Sequence, residues 1–244
     1  MRIPRFYTAQ TLVLHQPVVL EQAPSHHLLK VLRIQAGDSV LLFNGDGKEY
    51  QAILESSEGK RAILGISCAT DPHRESRLRV SLGQGISRGE RMDLVIQKAV
   101  ELGVKEITPL WSRRSQVQLS GQRLDKRLSH WRGVIQAACE QSGRVRLPVL
   151  HQAVDLAEWL GAAAHGVLGL ILDPEADTTL QEIEPASCVQ VLVGPEGGLE
   201  HKEVGAAVAA GFRRVRLGPR ILRTETAALA ALAALQTLWG DFKR

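Results

Sequence analysis

The chain has 244 residues, is 44% hydrophobic and carries a formal net charge of +4. That apolar share can build a core and excludes gross disorder. No apolar run reaches membrane-spanning length and the N-terminus MRIPRFYTAQ has no signal-peptide core, so the expected setting is the cytoplasm, with one large domain or two small ones. Cys68, Cys139 and Cys188 are far apart and form no CxxC pair, which points to free thiols rather than a disulfide framework or a zinc site.

Residues 1–72 read as a small β-rich domain. Thr11–Leu14, Val18–Leu20, Ser39–Phe43, Glu49–Leu54 and Arg61–Ser67 are strand-like runs separated by turn residues, a spacing that suggests a small barrel. Asn44-Gly45-Asp46-Gly47 is a hairpin signal. Ser25–Leu32 is the helical candidate, with Ser25 as its N-cap.

The polar segment Ala69–Ser76 marks a composition shift, and residues 73–244 form the second expected domain. Here the period changes. Strands at Leu78–Leu82, Glu106–Trp111 and Val167–Leu172 alternate with helices at Arg91–Leu102, Gln122–Ser142 and Leu156–Leu160, with a short extended piece at Pro148–Leu150. This alternation predicts an α/β domain, a mostly parallel sheet with helices on both faces.

Two strand–loop–helix units close the chain. Val189–Val193 is apolar and β-branched, so a buried strand, and runs into Gly194-Pro195-Glu196-Gly197-Gly198, which neither helix nor strand survives. A helix follows from about Glu200 to Gly211, a glycine at the C′ position. Arg214–Leu217 is the next strand, broken by Gly218-Pro219, and Thr224 offers an N-cap for the last helix, Glu225–Trp239. Its alanines permit close helix packing, either on the chain's own sheet or in a homodimer. Loops at the carboxyl ends of parallel strands bind ligands, so these two loops define one candidate pocket.

Charge divides the chain unevenly. Residues 74–150 hold fifteen Lys/Arg, twelve of them Arg, against seven Asp/Glu, whereas residues 1–73 are neutral and residues 151–244 carry eight against twelve. Arg-rich surface suits phosphate contacts, and Arg88, Arg91, Arg113, Arg114 and Arg144 are the candidates for contact with a nucleic acid, RNA if the resemblance described below holds; the alternative is a solvated basic face. There is no P-loop, no GxSxG and no HExxH. Gly83-Gln84-Gly85 with Gly89 has the wrong spacing for a dinucleotide fingerprint. The glycine-rich loop after Val193 can be an anion cradle, a plain turn, or a site for a neutral or cationic ligand. Glu196, Glu200 and Glu203 suit the helix dipole but repel phosphate, which favours the last.

The pair LVGPEGGLEHKEV and GFRRVRLGPRILRTETA resembles the C-terminal motifs of the knotted SPOUT methyltransferases, and within them the RsmE family of 16S rRNA (uridine-N3) methyltransferases. Gln97–Val104, the segment AACEQSGR at Ala137–Arg144, Arg33 and Phe43-Asn44-Gly45 are similar to other parts of that family's pattern. One departure is Glu200 where the family places Ser or Thr, which weakens the expected capping box with Glu203.

The resemblance implies a trefoil knot in residues 76–244, a homodimer through that domain, and a PUA-like RNA-binding domain at the N-terminus. It implies S-adenosylmethionine as cofactor, lined by Leu172, Gly194, Glu196, Gly198, Leu217, Gly218, Ile221 and Leu222. Its partner would be 16S rRNA or the small ribosomal subunit. N3 of uridine is a poor nucleophile while protonated. Arg223 is the candidate cation beside the uracil oxygens, and Glu225 or Glu196 the candidate base. The alternative for Arg223 and Glu225 is a helix-start ion pair that only shapes the fold. Two other readings are a non-catalytic RNA-binding protein and a SPOUT enzyme with a different target atom.

Overall fold

A computed structural model describes residues 3–115, 120–162 and 166–242. The chain forms two compact units. One comprises Met1–Glu75 with Cys139–Leu147, the other Ser76–Ala138 with Pro148–Arg244. The expected division at residue 72 is linear; the structure instead places residues 139–147 with the N-terminal unit.

The first unit is a five-stranded mixed sheet of β1 (Arg5–Tyr7), β2 (Pro17–Val19), β3 (Ser39–Phe43), β4 (Glu49–Glu58) and β5 (Arg61–Thr70), ordered β1-β3-β4-β5-β2. β1 pairs parallel with β3, and the other pairings are antiparallel. One core gathers Phe6, Val18, Leu42, Ala52 and Leu64 with Leu20 and Leu28. Thr11–Leu14, expected as a strand, is irregular, while β1 was not anticipated. The chain turns at Asn44, whose Oδ1 accepts from the Asp46 N–H at 3.2 Å, and enters β4 as a hairpin.

The helix also starts earlier than expected. α1 (Gln22–His26) continues into a π-turn over His27–Val31, and its N-cap is Glu21. Ser25 lies inside the helix, fully buried. Its hydroxyl donates to the Leu20 carbonyl at 3.1 Å and accepts the Ala62 N–H at 3.0 Å, so it ties helix to sheet.

Arg144 belongs to this unit. It is 4% exposed, and its guanidinium bonds Glu75 at 2.7 Å and 3.3 Å. Its carbonyl accepts from Arg5, which in turn pairs with Glu49, and Glu49 also binds Arg74 at 3.2 Å. A buried guanidinium with a carboxylate partner is a structural ion pair, since removing either charge strands the other. Arg144 therefore does not present itself to phosphate as the sequence reading expected.

The second unit carries a seven-stranded parallel sheet. Its strands are β6 (Arg79–Gly85), β7 (Glu106–Trp111), β8 (Val149–Leu150), β9 (Val154–Asp155), β10 (Leu168–Leu172), β11 (Cys188–Val193) and β12 (Arg213–Val215). The order is β12-β10-β11-β6-β7-β8, with β9 also on β7. From β6 the chain first builds outward through β7 and β8, then returns to the opposite side and slots β11 between β10 and β6. The strand order reverses there, which is where open α/β sheets bind ligands.

Helices α2 (Glu90–Glu101), α3 (Gly121–Ser142), α4 (Leu156–Gly161), α5 (His201–Ala209) and α6 (Thr224–Leu238) accompany the sheet. α2 buries Met92, Val95, Ile96, Ala99 and Val100 at helical spacing. α6 packs on it with Ala228, Ala231, Leu232 and Leu235 buried. The alanine-rich face is thus used inside the chain, where small side chains let α2 and α6 approach. Trp131 on α3 is fully buried, with its indole N–H bonded to Asp93 Oδ1 at 3.0 Å. Gln236, 1% exposed, accepts from the Ser76 hydroxyl at 2.8 Å and donates to the Leu102 carbonyl at 2.9 Å, which pins the end of α6. No helix among the described residues is long and apolar enough to cross a membrane.

Candidate active site

Three loops leave the carboxyl ends of β10, β11 and β12 and enclose one cavity of about 730 Å³. All eight residues expected to hold a cofactor line it: Leu172, Gly194, Glu196, Gly198, Leu217, Gly218, Ile221 and Leu222. So do the three catalytic candidates, Glu196, Arg223 and Glu225, along with Arg91, Arg114, Asp173 and Arg220.

Buried bonds stitch the loops to the sheet. Gln84, at the end of β6 and fully buried, donates to Thr224 Oγ1 at 2.9 Å, and Thr224 Oγ1 donates to the Gly194 carbonyl at 2.6 Å. Strand, glycine loop and the start of α6 are thereby joined. The N-cap of α6 is Arg223, one residue before the expected Thr224, because the threonine hydroxyl is used on Gly194 instead. Gln84 was missed in the sequence. The only signal was its place in the Gly83-Gln84-Gly85 run.

Those two glycines serve packing. A Cβ on Gly83 would meet the Trp159 ring at 2.7 Å, and one on Gly85 would overlap the backbone of Gly194 and Pro195. The run is a close crossing of β6 beneath the loop, consistent with the poor dinucleotide spacing. Gly198 turns the loop with φ +70, a conformation that side-chain-bearing residues rarely take.

The loop is held firmly despite its departure from the family pattern. The Glu200 N–H donates to Glu203 Oε2 at 2.8 Å and the Arg113 N–H to Glu203 Oε1 at 2.8 Å. Glu203 thus makes its half of the capping box and also ties α5 to the segment after β7. The Glu200 side chain makes the other half by accepting the Glu203 N–H, so the weakening expected there is not found.

Glu196 Oε1 accepts the Arg88 N–H at 2.9 Å and the Arg91 guanidinium at 3.0 Å. Burial pushes its carboxyl up, but the backbone N–H groups of Arg88 and Glu196 itself, with Arg91, outweigh that and hold it below the usual carboxylate range. An ionised carboxyl already accepting two hydrogen bonds is a weak base. Glu225 stands differently. Its one ion-pair contact among the described residues is Arg91 Nε at 4.0 Å. Each of the two carboxylates keeps one buried oxygen, Oε2, without a hydrogen-bond partner.

The side chain of the exposed Arg223 forms no ion pair or hydrogen bond with any described residue, so the helix-start pair with Glu225 does not form. Arg88 and Arg114 are also exposed and sit beside the glycine loop, with Arg114 Nη1 bonded to the Gly197 carbonyl at 3.1 Å, whereas the exposed Arg113 lines a second hollow with Trp111, Leu156 and Lys202. Three of the five RNA-contact candidates, Arg88, Arg91 and Arg114, therefore converge near the cavity mouth, and Arg113 and Arg144 do not. Chemically, the cavity offers apolar walls and carboxylate oxygens to a compact neutral or cationic ligand. The rim offers arginines to a polyanion.

A family model described as an RNA methyltransferase domain matches residues 74–236, and one described as an RNA methyltransferase PUA domain matches residues 21–67. The ribosomal RNA small subunit methyltransferase E of Buchnera aphidicola (subsp. Schizaphis graminum) is 36% identical over 98% of both chains. The chain belongs to the ribosomal RNA small subunit methyltransferase E family. Among solved structures, the family member from Neisseria gonorrhoeae, bound to S-adenosyl methionine, is 42% identical with a TM-score of 0.93, covering 99% of this chain and 100% of that one. A Legionella pneumophila protein in complex with the same cofactor is 39% identical with a TM-score of 0.96 over the same shares. The α/β fold and the PUA domain expected from the sequence are those of this family.

Proposed function

We propose that this chain transfers a methyl group from S-adenosylmethionine to N3 of a specific uridine in small-subunit (16S) ribosomal RNA, on the assembled subunit. It does so as a cytoplasmic homodimer joined through residues 73–244, whose C-terminal loops form the family's trefoil knot. Residues 1–72 serve as the PUA-like RNA-binding domain. The observation that carries the reading is the cavity at the strand-reversal point, where apolar walls, two partnerless carboxylate oxygens and an arginine rim meet.

The residues suit the cofactor. Leu172, Leu217 and Leu222 give an apolar slot for an adenine, and Gly194, Gly198 and Gly218 let backbone groups approach it. Glu196 is fixed in its charged form and tolerates a sulfonium, where a phosphate loop would repel it. When bound, S-adenosylmethionine supplies an electrophilic methyl group.

The chain's own residues then act on the acceptor. Glu225 takes the N3 proton, directly or through one water. The unpaired Arg223 guanidinium stabilises the negative charge that spreads onto the uracil oxygens as the proton leaves. Glu196 is the poorer base because Arg88 and Arg91 hold its charge in place. Positioning contributes as well, up to roughly 7–11 kcal/mol in well-oriented systems. Arg88, Arg113 and Arg114 grip phosphates around an extruded base, since base atoms inside a folded RNA are reached by flipping.

Calorimetric titration with S-adenosylmethionine should give one saturable site per chain. No heat of binding at any cofactor concentration would favour the non-catalytic RNA-binding alternative. Arg113→Ala should weaken rRNA binding and reduce the slope of log affinity against log salt by about one, read by filter binding across a salt series. An unchanged slope would make Arg113 a solvated residue.

A further inference from the structure

Arg91 occupies a place that a phosphate contact would not need. It sits in the first turn of α2, and its guanidinium lies between the two carboxylates that line the cavity. Nη1 is 3.0 Å from Glu196 Oε1 and Nε is 4.0 Å from Glu225 Oε1. The side chain is about half exposed, while those of Glu196 and Glu225 are 20% and 13% exposed. Two carboxylates facing one cavity repel each other, and a planar guanidinium can satisfy both at once in a way that a compact ammonium cannot.

We infer that Arg91 is a positioning residue: paired with Glu196, it fixes the neighbouring Glu225 carboxyl for proton abstraction, and it is not one of the RNA phosphate contacts. The inference rests on the proposed reading of Glu225 as the base. The pairing uses the Oε1 atom of each carboxylate and leaves each Oε2 atom without a partner. Glu196 keeps the Arg88 N–H when Arg91 is gone, so the loop retains one anchor. Glu225 has no second cation among its described contacts. The burden of losing Arg91 therefore falls on Glu225, on the acceptor side of the reaction, and not on the cofactor slot.

The test is single-turnover methyl transfer to small ribosomal subunits lacking the modification, at saturating subunit and cofactor, for the unaltered protein, Arg91→Gln and Arg91→Lys. It is run beside calorimetry with S-adenosylhomocysteine and an rRNA-binding salt series. Arg91→Gln should lower the transfer rate by about 100-fold or more, the scale of one acid–base contribution. Cofactor affinity should stay within a few-fold and the salt slope unchanged. Arg91→Lys should recover part of the rate, because an ammonium can hold one carboxylate but not bridge both.

A salt slope reduced by about one, with an unaltered rate at saturation, would make Arg91 a phosphate contact and overturn the inference. Loss of cofactor affinity in proportion to rate, in both variants, would make it a fold-shaping residue and overturn it equally. Absence of transfer by the unaltered protein would sink the proposed function itself. That result is distinct, because it appears before any variant is compared.

Discussion

Arg223→Ala loses turnover by about 10²- to 10³-fold, the usual cost of removing one preorganised donor to developing negative charge, while cofactor affinity changes little. The expectation follows from where the guanidinium stands. It lines the cavity and is exposed there. No described residue takes its charge, so no internal ion pair is disrupted when it goes. As the N-cap of α6 it uses only backbone groups, and its side chain makes no cap hydrogen bond, so truncation leaves the helix start intact. Glu225→Gln should show the same pattern at a similar or larger scale, about 10²- to 10⁴-fold. Steady-state kinetics on small ribosomal subunits, paired with calorimetry, separates the outcomes. Equal losses of turnover and cofactor affinity would reassign Arg223 to shaping the pocket.

Gly85→Ala should have the largest effect on the fold. An added Cβ overlaps the Pro195 nitrogen and lies 2.8 Å from the Gly194 carbonyl carbon, and these are backbone atoms that cannot rotate aside. The same segment is stitched by the Gln84–Thr224–Gly194 chain of hydrogen bonds. The crossing must open, at roughly 1–3 kcal/mol for overpacking a tight core and more where backbone must shift. Gly194 moves with it, so cofactor affinity should fall together with thermal stability. Gly205→Ala, inside α5 with open space around it, serves as the control: it should leave cofactor affinity unchanged and raise stability by about 0.5–1 kcal/mol through helix propensity. Melting curves with and without S-adenosylhomocysteine read the pair. A fully stable Gly85→Ala protein with normal cofactor affinity would contradict the packing account.

The second unit was largely legible because its signals are local and repeated. A β-branched run into Gly-Pro, a helix closed by Gly211, and a second strand broken by Gly-Pro are patterns within a dozen residues. They point to two loops that share one pocket, and the eight residues that the family resemblance implies for it all line the cavity. The charge map marked residues 74–150 as basic, but that Arg88 and Arg114 stand beside the glycine loop, 108 and 83 positions away from Glu196 and Gly197, is a product of the fold.

What escaped the sequence depends on contacts across long separations. Arg144 looked like its basic neighbours, and only the fold brings it beside Glu75 and buries it. β1 is three residues long and exists because β3 pairs with it; alone, Arg5–Tyr7 has too little pattern to mark a strand. Ser25 had the chemistry of an N-cap but was claimed by Leu20 and Ala62. Thr224 was similarly diverted, by Gln84 and Gly194. Both are polar side chains whose local capping preference lost to a buried tertiary partner. The choice between Glu196 and Glu225 as base was also beyond the sequence. It turns on which carboxylate Arg88 and Arg91 hold, and those residues lie more than a hundred positions away from Glu196.

The most direct measurement is the identity of the methylated nucleoside. Small ribosomal subunits lacking the modification would be incubated with the protein and labelled S-adenosylmethionine, and their 16S rRNA digested and resolved by mass spectrometry. Label is expected in N3-methyluridine and in no other nucleoside. Label in a ribose-methylated nucleoside or another base would contradict the assignment of Glu225 and Arg223 to the N3 proton, even though the cavity and its cofactor would stand.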